Sequence, residues 1–396
     1  MNLKPQGMLA KARSLLPLAI EHRRALHRIP ELGLELPETA TFIAAELRNI
    51  GIEPRRVGSS MWGDIGSSGP LIALRADTDA LPVTEETGLP WASTMPGCMH
   101  ACGHDAHAAA LLVAARILAS EKDLPFRLRL IFQAGEESSF GALALIEAGV
   151  LAGVAAIAGG HVGDLSSELG PGEAGFLHGP MMAASDRFRG AFSGQGCHGA
   201  APHQGKDPII TFSEFALALQ TLRAREIDQT KPAVISLCSV QAGSTYNVLP
   251  SRLEFMGTVR SLEPELRAFL ERRIDETGEA IGGLRGLAWE WEWLGGYPIL
   301  RNDPLASSRA EVAAREVLGQ GRVRTLAHPI MGGEDFAYYL EKVPGLYWFF
   351  NTQAPGRGIV HPNHNSRFDI DEDLLSDFLA VNIAIATSLA EAVEKR

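Results

Sequence analysis

Apolar positions along this 396-residue chain follow two different rhythms, and the change between them marks its organisation. From residue 16 to residue 50 they recur at helical spacing, broken by Pro30 and Pro37, which predicts two helices with a turn between them, capping a domain. A short apolar run over 71–76 then passes directly into Asp77-Thr78-Asp79 and reads as a strand. An Ala- and Leu-rich helix is predicted over 105–120, a second strand over 127–132 ending at Gly135-Glu136-Glu137, and a helix over 141–148. A third strand, 154–158, ends at Gly159-Gly160-His161. Strands alternating with helices imply a parallel or mixed sheet covered on both faces, with its ligand crevice beyond the carboxyl ends of the strands. After any single strand a polar residue is ordinary loop. Here all three strands are followed by Asp, Glu or His, so residues distant in sequence are delivered to one crevice.

Near Asp186 the rhythm changes. The pattern predicts strands over 187–193, 233–241, 252–260 and 287–293, with helices over 208–225 and 264–281. The order β-α-β-β-α-β is that of a ferredoxin-like unit and argues for an inserted domain over 186–297. Helix and strand alternation then returns: a helix over 303–318, a strand over 346–350 and a closing helix over 371–395. The expected fold is therefore α/β, with a discontinuous domain of residues 1–185 and 298–396 built on a mixed sheet between helices, plus the inserted α+β domain.

Composition narrows the function classes. With 46% apolar and 21% charged residues the chain is that of an ordinary globular protein rather than a disordered one. A net charge of −11 with no concentrated basic patch argues against nucleic acid. Cys98, Cys102, Cys197 and Cys238 are too few and too irregular for a disulfide framework, which points to a reducing compartment. The only short apolar stretch near the start, residues 15–20, is closely bracketed by charges, so neither a signal peptide nor a membrane span is expected, and the location expected is cytoplasmic.

The candidate chemistry is concentrated. Within a few residues stand His100, Cys102, His104, Asp105 and His107, a mixture of thiolate, imidazole and carboxylate suited to a transition metal. A lone Cys or His is ordinarily a packed core residue; the cluster is what changes the reading. Glu136 and Glu137 would by default be a solvated pair, yet at a strand end beside a metal one can coordinate while the other moves protons. His100 and His107 fit supporting or structural roles. The run Gly194-Gln195-Gly196-Cys197-His198-Gly199 matches the dinucleotide-binding glycine pattern, but Pro202 and a polar loop separate it from the next helix, so its third glycine cannot open a helix onto a pyrophosphate. A Cys-His nucleophile at Cys102 would leave the tandem acids without a role.

Several further segments share one resemblance. Arg23-Arg24-Ala25-Leu26-His27 with Pro30-Glu31-Leu32-Gly33, Arg75-Ala76-Asp77-Thr78-Asp79-Ala80-Leu81-Pro82 and Met99-His100-Ala101-Cys102-Gly103-His104-Asp105 recur in order with Gly135-Glu136-Glu137 and Gly160-His161-Val162. So do His198 with Pro202-His203, Asn247-Val248-Leu249-Pro250, Gly257-Thr258-Val259-Arg260 and Gly333-Glu334-Asp335-Phe336. Together they cover nearly the whole chain. The chain resembles the metal-dependent amidohydrolases of the aminoacylase and carboxypeptidase family, in particular the branch of hippurate hydrolase and the auxin-conjugate hydrolases. That resemblance implies a metallopeptidase-like catalytic domain with the insert as lid and dimerisation domain. It implies two divalent metal ions per subunit (Zn, Mn, Co or Ni) held by Cys102, His104, Glu137, His161 and a last histidine. His361 and His364 both lie in the right region; His364 is chosen because it stands four residues before Phe368, as the family's terminal histidine stands before an aromatic. Thr78, where the family often has Met, and Asn365-Ser366, where it has Asn-Pro or Ser-Pro, are small departures that bear on substrate detail.

The expected activity is hydrolysis of the amide bond of an N-acyl amino acid, with Glu136 as general base and Asp79 orienting a residue of the metal site. His198 is the expected oxyanion donor, an effect worth roughly 3 kcal/mol in general, and in the family it reaches a neighbouring subunit's site, which implies a homodimer through the insert. Asn247 and Arg260 are candidates for the product's α-carboxylate, although a turn asparagine and a strand-end arginine need no such role. Closure of the insert over the crevice would hinge near Ala184 and Gly296. The other readings are a carboxypeptidase or dipeptidase of the same family, a protein that binds metal or peptide without turnover, and a nucleotide-dependent oxidoreductase using residues 194–199. The acyl group, the amino acid and the metal stay open.

Overall fold

Each of the three apolar runs followed by acids or histidine forms a strand whose side chains are buried on both faces, as central strands of a covered parallel sheet must be. The computed structural model describes residues 5–394 apart from Lys122 and Ser138; Lys395, the expected end of the closing helix, lies outside the described residues. The chain divides into two compact units, residues 1–181, 300–330 and 335–396, and residues 182–299 with 331–334. The second unit runs over 182–299, where the sequence pattern put an insert at 186–297, and Met331–Glu334 groups with it, which no composition change announces.

The first unit is built on an eight-stranded mixed sheet. Its order is Arg55–Val57, Ser60–Ile65, Arg127–Gln133, Leu71–Asp77, Val154–Val162, Gly345–Phe350, Ala174–Phe176 and Val323–Thr325. The four central strands, Arg127–Gln133, Leu71–Asp77, Val154–Val162 and Gly345–Phe350, run parallel, so their carboxyl ends share one edge. The strand expected over 154–158 continues to Val162 and contains Gly159, Gly160 and His161. Glycine there is a packing requirement: a Cβ on Gly160 would lie 2.4 Å from the Trp348 indole on the next strand, and one on Gly159 2.8 Å from Tyr347.

Helices cover the sheet. Pro5–Ser14 is a helix the pattern did not indicate, followed by Leu16–His27 and Pro37–Asn49. His104–Ala119 is buried almost all round, and its Ala content lets it lie close to its neighbours. The closing helix Leu375–Glu394 is long and apolar enough to cross a membrane by length and composition, but it is mostly buried, against Pro5–Ser14, His104–Ala119, Pro304–Leu318 and the strand Val154–Val162. That is the packing of a core helix.

The second unit is a four-stranded antiparallel sheet in the order Ala233–Ala242, Arg252–Ser261, Ala184–Ser193 and Ala288–Tyr297, the ferredoxin-like arrangement. Two helices, Pro208–Arg225 and Pro264–Arg285, cover one face of it, with Phe215 of the first helix packing among Phe188, Phe192, Phe255 and Trp289 of the sheet. The first begins where its sequence says it should: the Asp207 carboxylate accepts the Ile209 and Ile210 amides, and Pro208 occupies a position whose missing N–H costs nothing.

Candidate metal centre

All the first unit's candidate donors gather at the carboxyl edge of the parallel strands. Leu71–Asp77 leads into Asp79, Arg127–Gln133 into Glu136 and Glu137, and Val154–Val162 carries His161 as its penultimate residue. Cys102 and His104 come from the start of the helix His104–Ala119, which Gly103 can enter because its φ is +91°. His364 stands on a loop with φ +70°, a left-handed conformation uncommon for a residue with a side chain, and its amide donates to the Ala101 carbonyl at 2.7 Å.

The donor atoms form overlapping groups in which all members lie within 4.8 Å of one another: Cys102, His104 and His161; Cys102, Glu137 and His364; His104, Glu136 and Glu137. Cys102 Sγ is 3.4 Å from His161 Nε2, and Glu137 Oε1 is 3.5 Å from His364 Nε2 and 3.9 Å from His104 Nε2. The five residues expected as ligands therefore meet in space. His361 belongs to no such group among the described residues.

Hydrogen bonds aim the donors inward. His104 Nδ1 lies 2.8 Å from the Asp79 carbonyl and His161 Nδ1 2.8 Å from the Val162 carbonyl. Because a carbonyl only accepts, each Nδ1 carries a proton and each Nε2 is the nitrogen turned toward the cluster, the one that would ligate a cation once free of its own proton. The Asp79 carboxylate accepts the Glu136 amide at 3.0 Å and the Glu137 amide at 3.1 Å, fixing the turn that carries both acids. His107, which the sequence left in a supporting or structural role, accepts the Val162 amide on Nε2 at 2.9 Å and donates from Nδ1 to Asp77 at 2.6 Å. It braces the strand end beside His161, their rings 4.6 Å apart. His107 falls three residues after His104, on the same helix face, and that spacing is the signal for it.

The electrostatics call for a cation. Burial pushes the Cys102 thiol well up, reinforced by the Glu137 and Glu136 carboxylates. Burial likewise raises the Glu137 carboxyl to about 7, helped by Asp79 and Asp77 and opposed by His104. His104 rises to about 10 although burial opposes it, because Asp77, Asp79 and Glu137 all favour its positive form. His161, buried and beside His107, is held well below the ordinary imidazole range. His104 Nε2 and Glu137 Oε1 are buried without a hydrogen-bond partner, an arrangement disfavoured unless another group satisfies them. A thiolate, two carboxylates and neutral imidazoles at these separations fit a divalent metal, with Cys102, His104, Glu137, His161 and His364 as the residues that would hold it.

The remaining sequence candidates lie in the second unit. His198 is exposed, in the short strand Cys197–His198 that pairs with Val248–Leu249, and its Nδ1 accepts the Ala200 amide. Asn247, also exposed, lies next to it through the Gly199 amide bonded to the Asn247 carbonyl at 2.9 Å. Arg260 is half-buried in Arg252–Ser261 between Val234 and Ser185, where burial lowers its pKa. The run 194–199 passes into that two-stranded ribbon and a short 3₁₀ turn, so no helix starts from its third glycine.

Among known proteins, the chain is 39% identical over 378 residues to the N-acetyl-L-cysteine deacetylase of Bacillus subtilis, covering 94% of this chain and 88% of that one. It is 38% identical over 365 residues to thermostable carboxypeptidase 1 of Saccharolobus solfataricus, covering 90% and 91%. A solved dinuclear metal-binding peptidase of the M20 family from Bacillus subtilis superposes with a TM-score of 0.81 at 33% identity, over 97% of this chain and 99% of that one. Residues 73–385 match the family described as peptidase family M20/M25/M40, and with that match, these relatives and a cluster of donors that fits a divalent metal, the chain belongs to this family.

Proposed function

We propose that the protein is a metal-dependent hydrolase that cleaves the amide bond of N-acyl amino acids, with two divalent ions per subunit and Glu136 as general base. The observation that carries this reading is the position of Glu136: a buried carboxylate grouped with His104 and Glu137, its backbone amide held by Asp79. A site that only bound metal would need no second acid there. When bound, divalent metal supplies a more acidic water and polarises the scissile carbonyl. Glu136 takes the proton of the attacking water and returns it to the departing amine, a contribution of about 10²–10⁴-fold. Asp79 keeps Glu136 and Glu137 in register through their two amides. His198 supplies the oxyanion donor from the insert of a second subunit, and Asn247 with Arg260 binds the product carboxylate. The edge strand Ala233–Ala242, exposed along its second half, supports pairing of two inserts.

A carboxypeptidase reading is the second, favoured by the carboxypeptidase relative. Both reactions release an amino acid, so the substrates decide. The test is metal analysis of the purified protein followed by assay of acetyl-, benzoyl- and indoleacetyl-amino acids beside dipeptides and longer peptides, with each metal restored. Cleavage of acyl-amino acids, abolished by chelator and reduced at least about 100-fold in Glu136→Gln with metal retained, is expected. Exclusive cleavage of peptides would select the second reading, and a fully active Glu136→Gln would overturn the role of that residue.

A further inference from the structure

One side chain touches the backbone beside three of the donors. Asn363, on the loop that carries His364, donates from Nδ2 to the Cys102 carbonyl at 3.0 Å and to the Val162 carbonyl at 3.1 Å. Its Oδ1 accepts the Asp164 amide at 3.0 Å. A primary amide has two N–H donors and a carbonyl acceptor, so this one is fully used. The Val162 carbonyl is also the acceptor of His161 Nδ1–H, so the bond that sets the His161 tautomer shares its oxygen with Asn363. Gly163 is built around the same amide: its φ is +124°, and a Cβ there would meet Asn363 Oδ1 at 2.1 Å. Immediately after Asn363, His364 holds its left-handed backbone and donates to the Ala101 carbonyl.

We propose that Asn363 is the positioning residue of the metal centre, a single amide that locks the loop bearing His364 to the segments bearing Cys102 and His161. The inference rests on the metal-dependent reading above. The three segments are far apart in sequence, and those bearing Cys102 and His161 grow from a helix start and a strand end. The loop at 361–365 has no such anchor, and a residue in the left-handed region returns to commoner backbone conformations unless its surroundings hold it. Among the described residues, the Asn363 side chain and the His364 amide make the hydrogen bonds that tie this loop to distant segments. Asn363 touches no reacting atom; it acts through His364 and the Val162 carbonyl.

The test compares the full chain with Asn363→Ala and Asn363→Asp. Aspartate is nearly isosteric and keeps the acceptor for the Asp164 amide, but it replaces the two donors with oxygen facing two carbonyls. Metal-free proteins are titrated with Co²⁺ alone, reading ions bound per chain, the dissociation constant by calorimetry and the cobalt absorption spectrum, with circular dichroism to establish folding. Both variants are expected to fold and to bind the weaker-held ion about 10- to 100-fold less tightly, with an altered spectrum, because supporting bonds around metal ligands carry effects of that size. A merely structural asparagine would shift the melting temperature and leave the spectrum alone. Wild-type protein that binds Co²⁺ alongside folded variants with affinity within two-fold and an unchanged spectrum would overturn this proposal and leave the functional reading standing. Wild-type protein that binds no Co²⁺ would overturn both.

Discussion

Arg23 offers a severe test of how the metal-bearing segments are held. It lies on the helix Leu16–His27 with no exposed surface, and its guanidinium meets three carboxylates: Asp105 at 3.1 Å, Asp369 at 2.7 Å and Glu372 at 3.0 Å. Asp105 adjoins His104, and Asp369 follows His364 by five residues, so one cation ties together the two ends of the site. Replacing Arg23 by Met keeps the volume and removes the charge. The loss is not equal for the three acids. Asp105 keeps His27 at 2.8 Å and Glu372 keeps Arg24 at 2.6 Å, whereas Asp369 loses the partner that holds it. Removing one member of a buried ion pair costs about 3–5 kcal/mol, and with two of three carboxylates still partnered the lower end applies, about 3 kcal/mol. For a unit of this size, with an unfolding entropy of about 2.1 cal/mol/K per residue, that corresponds to a fall in Tm of roughly 5 °C. Thermal unfolding of metal-free wild type and Arg23→Met at one scan rate measures it. Lysine at the same position should recover only part of the loss, because an ammonium lacks the planar fork that reaches three acids at once. A methionine variant melting within about 2 °C of wild type would refute the idea that this charge is needed.

The neighbouring histidine makes stability depend on pH. Burial disfavours charged His27, but Asp105 and Glu85 outweigh it and raise its pKa to about 9. A folded-state value above the ordinary 6.5 means that His27 contributes in full below pH 6.5 and that the contribution, about 3 kcal/mol, fades as pH rises through 9. Urea unfolding of metal-free protein across pH 6.5–9 should show this decline, and His27→Gln should make it shallower, the slope that remains coming from His104, which is likewise raised, to about 10; equal slopes in the two proteins would exclude His27 as a contributor. At the site itself, Asp79→Asn puts an N–H where one of the Glu136 and Glu137 amides now finds an acceptor. With metal content checked, kcat should fall about 10- to 100-fold with KM little changed, and a kcat within two-fold of wild type would show that those amides need no anion.

What the sequence revealed about fold and site depended on the range of the interactions involved. A seven-residue apolar run leading into an acid, such as Leu71–Asp77, is its own signal, since both the strand and its polar end are local. The helix Pro208–Arg225 was legible to the residue because its cap, its proline and its apolar face are all contiguous. Three-residue strands such as Ala174–Phe176 and Val323–Thr325 are too short for any periodicity and exist because a neighbouring strand offers them partners. Gly159 and Gly160 imitate a strand end, yet the strand runs on because their missing side chains make room for Tyr347 and Trp348.

The same distinction divides the site. Cys102, His104, Glu136 and Glu137 announce themselves by crowding within short segments and His161 by its place at a strand end, whereas His364, with His361 three residues before it, was singled out through resemblance. Asn363 carries no signal at all, because an asparagine between Pro362 and His364 reads as loop. Its part depends on three backbone groups that only the folded chain brings within reach. Donors rooted in strand ends and helix starts inherit their positions from backbone hydrogen bonds of the sheet and helix, which a pattern of apolar residues encodes. A donor on an irregular loop must be positioned by a side chain bonded to distant backbone, and such bonds leave no periodic trace. The loop-borne donor and its supports are therefore where the sequence says least and where a substitution should most change the metal centre while leaving the fold intact.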